Sequence, residues 1–276
     1  MRFVIHLRHY LLVSDHLDNG IAAYDKALAI VEDERQRATI LNVLGALFYR
    51  RSRLPEAHDH WARSLAIWQD LGDEVPQATA LHNLVLCHLE SKNFADARAR
   101  LEQARDLYLK GGDLDRATAC EFSLGRVMLD AGQPEKSVDI LTRAIESNTT
   151  ADPTRLTSAF ANLALANYVL GNWRQSLLHL KSALRHFDLS EDIASVSPGI
   201  VVLARLAELN GLRDEGCELR HWLAVMQGSN RFELTDVEQE ILHPLNVTGS
   251  LLERPWTHSI RQVASSICNK LDSVIV

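Results

Sequence analysis

The sequence predicts an all-α solenoid of about six antiparallel helix pairs with a helical C-terminal cap, and three observations predict it. First, a leucine column recurs at Leu7, Leu44, Leu84, Leu124, Leu163 and Leu203, with spacings of 37, 40, 40, 39 and 40 residues. Second, a small residue stands thirteen positions after each of these: Gly20, Ala57, Ala97, Ser137, Ser176 and Gly216. Third, larger apolar residues fill the interval at helical spacing, as in Leu81, Leu84, Leu101 and Ala104. A fixed period in this range marks stacked supersecondary units that bury their apolar faces only against neighbours. The small columns let paired helices approach at short interaxial distance.

Taken in order, residues 1–227 form the array, with pairs at about 1–32, 34–71, 74–110, 114–147, 153–188 and 191–227. The first pair turns near Asp15-His16, and its first helix starts without a capping sequence although Val4, Leu7 and Leu11 demand a neighbour. Arrays need polar terminal caps, so an upstream domain of a longer chain, or a partner protein, is expected against this pair. Gly72 reads as a helix C-cap, and Gly111-Gly112 does the same before Asp113, a candidate N-cap. Pro134 opens one helix and Pro153 another. Residues 147–152 are the most polar connector, and Leu189 to Pro198 is the longest irregular stretch. In the last pair Arg220 stands in a column held elsewhere by Tyr24, Trp61, Leu101, Leu141 and Leu180. A cation there suggests that the array ends and one face turns to solvent. Residues 228–276 follow as the cap, where Thr235-Asp236-Val237-Glu238 is a capping box for a short helix reaching His243. Pro255 then opens an amphipathic helix with Trp256, Ile260, Val263, Ile267 and Leu271 along one stripe.

Composition narrows the function. The net charge of −7 and pI near 5.9 argue against a broad nucleic-acid surface, which would be basic. Met1 to Leu12 is interrupted by Arg2, His6, Arg8 and His9, so it reads as neither a signal peptide nor a membrane span. Cys87, Cys120, Cys217 and Cys268 lie far apart with no C-x-x-C pair, as expected of reduced thiols in a cytoplasmic protein. No phosphate-binding loop, dinucleotide fingerprint, H-E-x-x-H or nucleophile elbow occurs, so neither an enzyme nor a cofactor is expected. His58 and His60 are two apart, and on a helix such residues face different ways, so joint metal ligation is not expected. Arg50-Arg51-x-Arg53 sits where a helix end favours cations, which accounts for it structurally; an anionic partner is the other reading.

The repeats themselves carry a resemblance. The helix-pair signature W-x2-L-G-x2-Y followed by A-x3-F stands here as Leu41-x2-Leu44-Gly45-x2-Phe48 and Ala57-x3-Trp61. Further copies read Leu81-x2-Leu84-Val85-x2-His88 with Ala97-x3-Leu101, Leu124-Gly125-x2-Met128 with Ser137-x3-Leu141, and Phe160-x2-Leu163-Ala164 with Ser176-x3-Leu180. These resemble tetratricopeptide repeats of the longer, near-40-residue kind, and most of all the MalT-like repeats that close bacterial signalling ATPases and transcriptional activators. The resemblance implies the sensor or interaction arm of a bacterial regulator, binding a protein, a peptide segment or a small effector. A free-standing scaffold is the alternative. In the tail, Leu234-Thr235-x-x-Glu238-x-Glu240-Ile241-Leu242 and His258-Ser259-Ile260-Arg261 through Lys270-Leu271 are similar to parts of the LuxR-type DNA-binding domain. Val237 stands where that family has arginine, and the middle helix that would brace a recognition helix is missing. The tail is read first as a cap, with DNA binding as a distant alternative.

By the same resemblance, the first helix of each pair lines a concave face. Helical spacing then marks a stripe: Asn42/Ala46/Tyr49, His82/Leu86/Leu89, Phe122/Arg126/Leu129, Ala161/Leu165/Tyr168 and Val201/Arg205/Glu208, flanked by Arg50, Asn83 and Asn162. Aromatics and leucines mixed with Arg and Asn suit a recognition groove. The expected binding residues are Asn42, Tyr49, Arg50, His82, Asn83, Leu86, Phe122, Arg126, Asn162, Leu165, Tyr168 and Arg205. The plain alternative is that some of them are packing residues.

Overall fold

The computed structural model describes residues 17–147, 153–187, 195–228, 234–242 and 260–275. The described residues contain thirteen α-helices and no strand. The chain divides into two compact units, Met1–Cys120 and Glu121–Val276. The first helix of the first pair with Leu7, most of the two polar connectors, and the whole 243–259 stretch with Pro255, Trp256 and His258 lie outside the described residues.

In the first unit α1 is Leu17–Ile30, α2 Glu34–Arg50, α3 Leu54–Leu71, α4 Glu74–Glu90 and α5 Phe94–Lys110, and α6 begins at Leu114. Short polar side chains start these helices by accepting orphan backbone N–H groups. Asp33 accepts from Gln36 at 2.7 Å, Asn93 from Asp96 at 3.3 Å and Asp113 from Arg116 at 3.0 Å. Consecutive helices pack antiparallel, and the sequence columns mark where: Leu44, Leu84, Ala57 and Ala97 are buried. At Gly45 a β-carbon would sit 2.5 Å from the Trp61 ring, so glycine sets the closest approach of α2 to α3.

In the second unit α6 runs on to Asp130, followed by α7 Pro134–Ser147, α8 Pro153–Val169, α9 Trp173–His186, α10 Ser197–Leu209 and α11 Arg213–Gly228. Leu124, Leu163, Leu203, Ser137 and Ser176 are buried, and Ser176 donates to the Ala164 carbonyl at 2.6 Å. The described tail residues form two helices, α12 Asp236–Leu242 and α13 Ile260–Asp272. α13 packs on α9, α10 and α11, burying Ala264, Ile267, Cys268 and Leu271. α12 packs on α10.

A further repeating position, not read from the sequence, closes each pair. Ser52, Lys92, Gly132, Gly171 and Gly211 all have positive φ. In every case the next residue donates its N–H back across the turn, as Arg53 does to Phe48 and Asn93 to His88. This is the Schellman closure, which needs a left-handed residue just after the helix. Three pairs supply glycine, whereas Ser52 and Lys92 carry the steric cost of a side chain there.

Candidate binding face

In the first unit the first helices of the second and third pairs, α2 and α4, present a half-exposed face. Asn83 donates to the Asn42 side chain at 2.8 Å, tying α4 to α2, while the Asn42 carbonyl accepts from the Trp61 indole at 3.1 Å. Tyr49 donates to Glu90 at 3.1 Å, and its ring lies 5.9 Å from that of Trp61. The His82 ring nitrogen lies 4.0 Å from the Cys120 thiol, and Leu86 and Leu89 are half-buried beside it. Arg50 is exposed. Of the other histidines, His60 stacks on Phe48 with ring centroids 5.1 Å apart, and His58 meets His88 edge-on. Among the described residues no group of His, Cys, Asp or Glu could hold a metal ion.

In the second unit some of the equivalent positions are covered. Phe122, Asn162 and Leu165 are buried, while Tyr168 and Arg205 are half-buried. Arg126 spreads its guanidinium over four partners. Nε donates to Asp130 at 3.0 Å, Nη1 to Asn162 at 3.0 Å and Nη2 to the Thr235 hydroxyl at 2.9 Å. Nη2 also lies 3.4 Å from the Glu238 carboxylate. Thr235 and Glu238 belong to the capping box, whose N–H to carboxylate bond is 2.7 Å. The tail helix therefore enters the stripe N-terminus first. Leu234 joins the core, and Val237, Ile241 and Leu242 pack against it. The far end of α12 is held by Arg220, which donates to the Leu242 carbonyl and pairs with Glu208, Nη2 to Oε2 being 2.9 Å. Arg205 also reaches Glu208, at 3.3 Å.

Arg220 thus corrects the sequence expectation of a face turning to solvent: it is 7% exposed and buried against Glu208 and the tail. A single repeat column could not show this, because its partners lie twelve and twenty-two residues away. The arrangement is electrostatically costly. Burial opposes the charge on Arg126, and Glu238 and Asp130 together outweigh it, holding the guanidinium above its usual value. Burial likewise pushes the Asp130 carboxyl up, against the pull of Arg126. Two carboxylates share one cation, and Glu238 Oε1 has no hydrogen-bond partner although the residue is 1% exposed. What the cluster can do is recognise a carboxylate on a helix; it holds no arrangement of nucleophile and base.

Residues 36–110 and 76–150 match the tetratricopeptide repeat. Comparison with curated proteins gives no match. Among solved structures, the chain resembles apo RapI at 13% identity and a TM-score of 0.63, over 99% of this chain and 98% of that one. It resembles the apo quorum sensor NprR from B. thuringiensis at 16% identity and 0.61, over 88% and 72%. A Rap protein complexed with Competence and Sporulation Factor matches at 18% and 0.60, over 86% and 64%. At such identities the likeness is one of fold. No described helix is long and apolar enough to cross a membrane.

Proposed function

We propose that the chain is a protein- or peptide-binding repeat module serving as the sensor or interaction arm of a bacterial regulator. The observation that carries this reading is the stripe itself. In the second unit the stripe already holds a helical segment through Arg126, itself braced by Asn162, and in the first unit the corresponding face, with Asn42, Tyr49, His82, Asn83 and Leu86, is half-exposed. Solved neighbours include a quorum sensor and a Rap protein bound to a signalling factor, which supports a peptide or protein as the ligand. The MalT-like setting, with an upstream regulatory domain, belongs to the same proposal, as does a cytoplasmic location. A photoreactive phenylalanine at position 86, and separately at the exposed Gln103 of α5, tests the reading in cells. Discrete adducts from position 86 with none from 103 are expected. Equal labelling from both positions, or none, would sink it.

A further inference from the structure

We propose that the second unit carries a site for an acidic, N-capped amphipathic helix, and that residues 234–242 occupy it as an internal ligand which an external helix must displace. This rests on the binding reading above and adds the ligand's chemistry and its internal competitor.

Four observations carry it. The contacts are those of a ligand rather than of a plain cap: each end of α12 is read by an arginine, Arg126 at the capping box and Arg220 at the Leu242 carbonyl. Apolar residues at 234, 237 and 241 lie on one face, the i, i+3, i+7 pattern of a helix laid in a groove. The seat is specific to this unit. At the stripe position of Arg126, the first unit's described helices α2 and α4 have Ala46 and Leu86, which offer a carboxylate no cation there. Finally, the fit is imperfect. One guanidinium faces two carboxylates, and a buried Glu238 oxygen goes without a partner. Buried ion pairs lose much of their attraction to desolvation, so the segment is held in one register without being held tightly. By contrast, α13 buries a continuous apolar stripe and fits a permanent cap.

An external helix bearing aliphatic residues at the same three positions and a carboxylate four residues after the first would meet the same arginines. Occupancy by the tail lowers its apparent affinity by the fraction of molecules in which the seat is open.

The test uses the full chain and a fluorescein-labelled peptide of sequence Leu234–Leu242, LTDVEQEIL, read by anisotropy. Glu238→Arg sets a cation against Arg126 and should release the tail. Should that variant lose the fold by circular dichroism, Thr235→Ala with Glu238→Gln removes the contacts without adding charge. The released chain should bind the peptide saturably, at least about ten-fold tighter than wild type. A peptide with glutamine at its glutamate in position 238 should bind about ten-fold more weakly, since a charge-assisted bond is lost. Arg126→Ala added to the released chain should abolish binding. No binding to a released, folded chain would overturn the proposal, making the tail a structural cap. Equal binding to wild type and released chain would overturn the displacement. Adducts from position 86 arise in the first unit, so they can succeed while the peptide fails, or the reverse, and the two failures are separable.

Discussion

Replacing Gly45 with alanine adds one methyl group where the structure leaves no room. An ideal β-carbon there lies 2.5 Å from Trp61 Cδ1, 2.5 Å from Nε1 and 2.8 Å from Cε2. Trp61 is 1% exposed and is anchored by its indole to the Asn42 carbonyl at 3.1 Å, so the ring cannot swing away freely. Overpacking of this sort costs about 1–3 kcal/mol. Alanine returns about 0.5–1 kcal/mol through its better helix propensity. Taking the middle of each range, the net expectation is a loss of about 1 kcal/mol, or roughly 2–4 °C in the melting midpoint at this chain size. Thermal unfolding of Gly45→Ala measures it, and the same change in a Trp61→Ala background supplies the control. With the ring gone the methyl group has space, so the second substitution should cost nothing or stabilise. A Gly45→Ala protein as stable as wild type would refute the close crossing of α2 and α3. An equal penalty with and without the ring would show that the clash is not with Trp61.

Other outcomes follow from the same structure. Lys92 holds φ +55° on an exposed turn, so Lys92→Gly should stabilise by about 1 kcal/mol and raise the melting midpoint by roughly 2–4 °C. No gain would mean that the turn is not strained. Burial lowers the pKa values of His60, His88 and His179 below the usual 6.5. Their contribution to stability is present above 6.5 and lost as pH falls through the lowered values. Denaturant midpoints should therefore drop between pH 7.5 and 5.5, and His60→Phe, which keeps the stack on Phe48, should flatten that slope. The raised Asp130 acts in the opposite sense, its contribution disappearing as pH rises through its folded value. Burial raises the Cys268 thiol to about 12, so a maleimide should label it only after unfolding, well behind the half-buried Cys87 and Cys217.

How far the sequence spoke depends on whether a feature repeats. The leucine and small columns were legible because each position is tested several times over, and the buried Ala57, Ala97, Ser137 and Ser176 stand where the columns place them. The caps at Asp33, Asn93 and Asp113 follow local chemistry, although only Asp113 was read as one. The left-handed turn column is not legible as a repeat because Ser52 and Lys92 interrupt the glycines. Features that occur once were not legible. A stripe read as an open groove includes Phe122, Asn162 and Leu165, which are buried in the second unit. Arg220, read as a sign of solvent, is buried beside Glu208. Phe122 is buried among Leu141, Ala144, Ala159 and Leu163. For Arg220 the deciding element is α12, whose capping box is visible in the sequence but whose place against Arg126 spans 109 residues. Periodicity has no term for such a contact. A clue was nonetheless present: Leu234, Val237 and Ile241 share one helical face, and that face needed a seat.

The central claim is that the tail helix is held in the second unit's binding face by Arg126. Removing that side chain leaves Glu238 and Asp130 buried without their cation, at a cost of about 3–5 kcal/mol. Hydrogen–deuterium exchange of Arg126→Ala against wild type reads the consequence directly. Amides 236–242 should exchange much faster, while those of α8, α10 and residues 36–110 keep their protection. Unchanged protection at 236–242 would contradict the claim, as would a loss spread equally over α8 and α10.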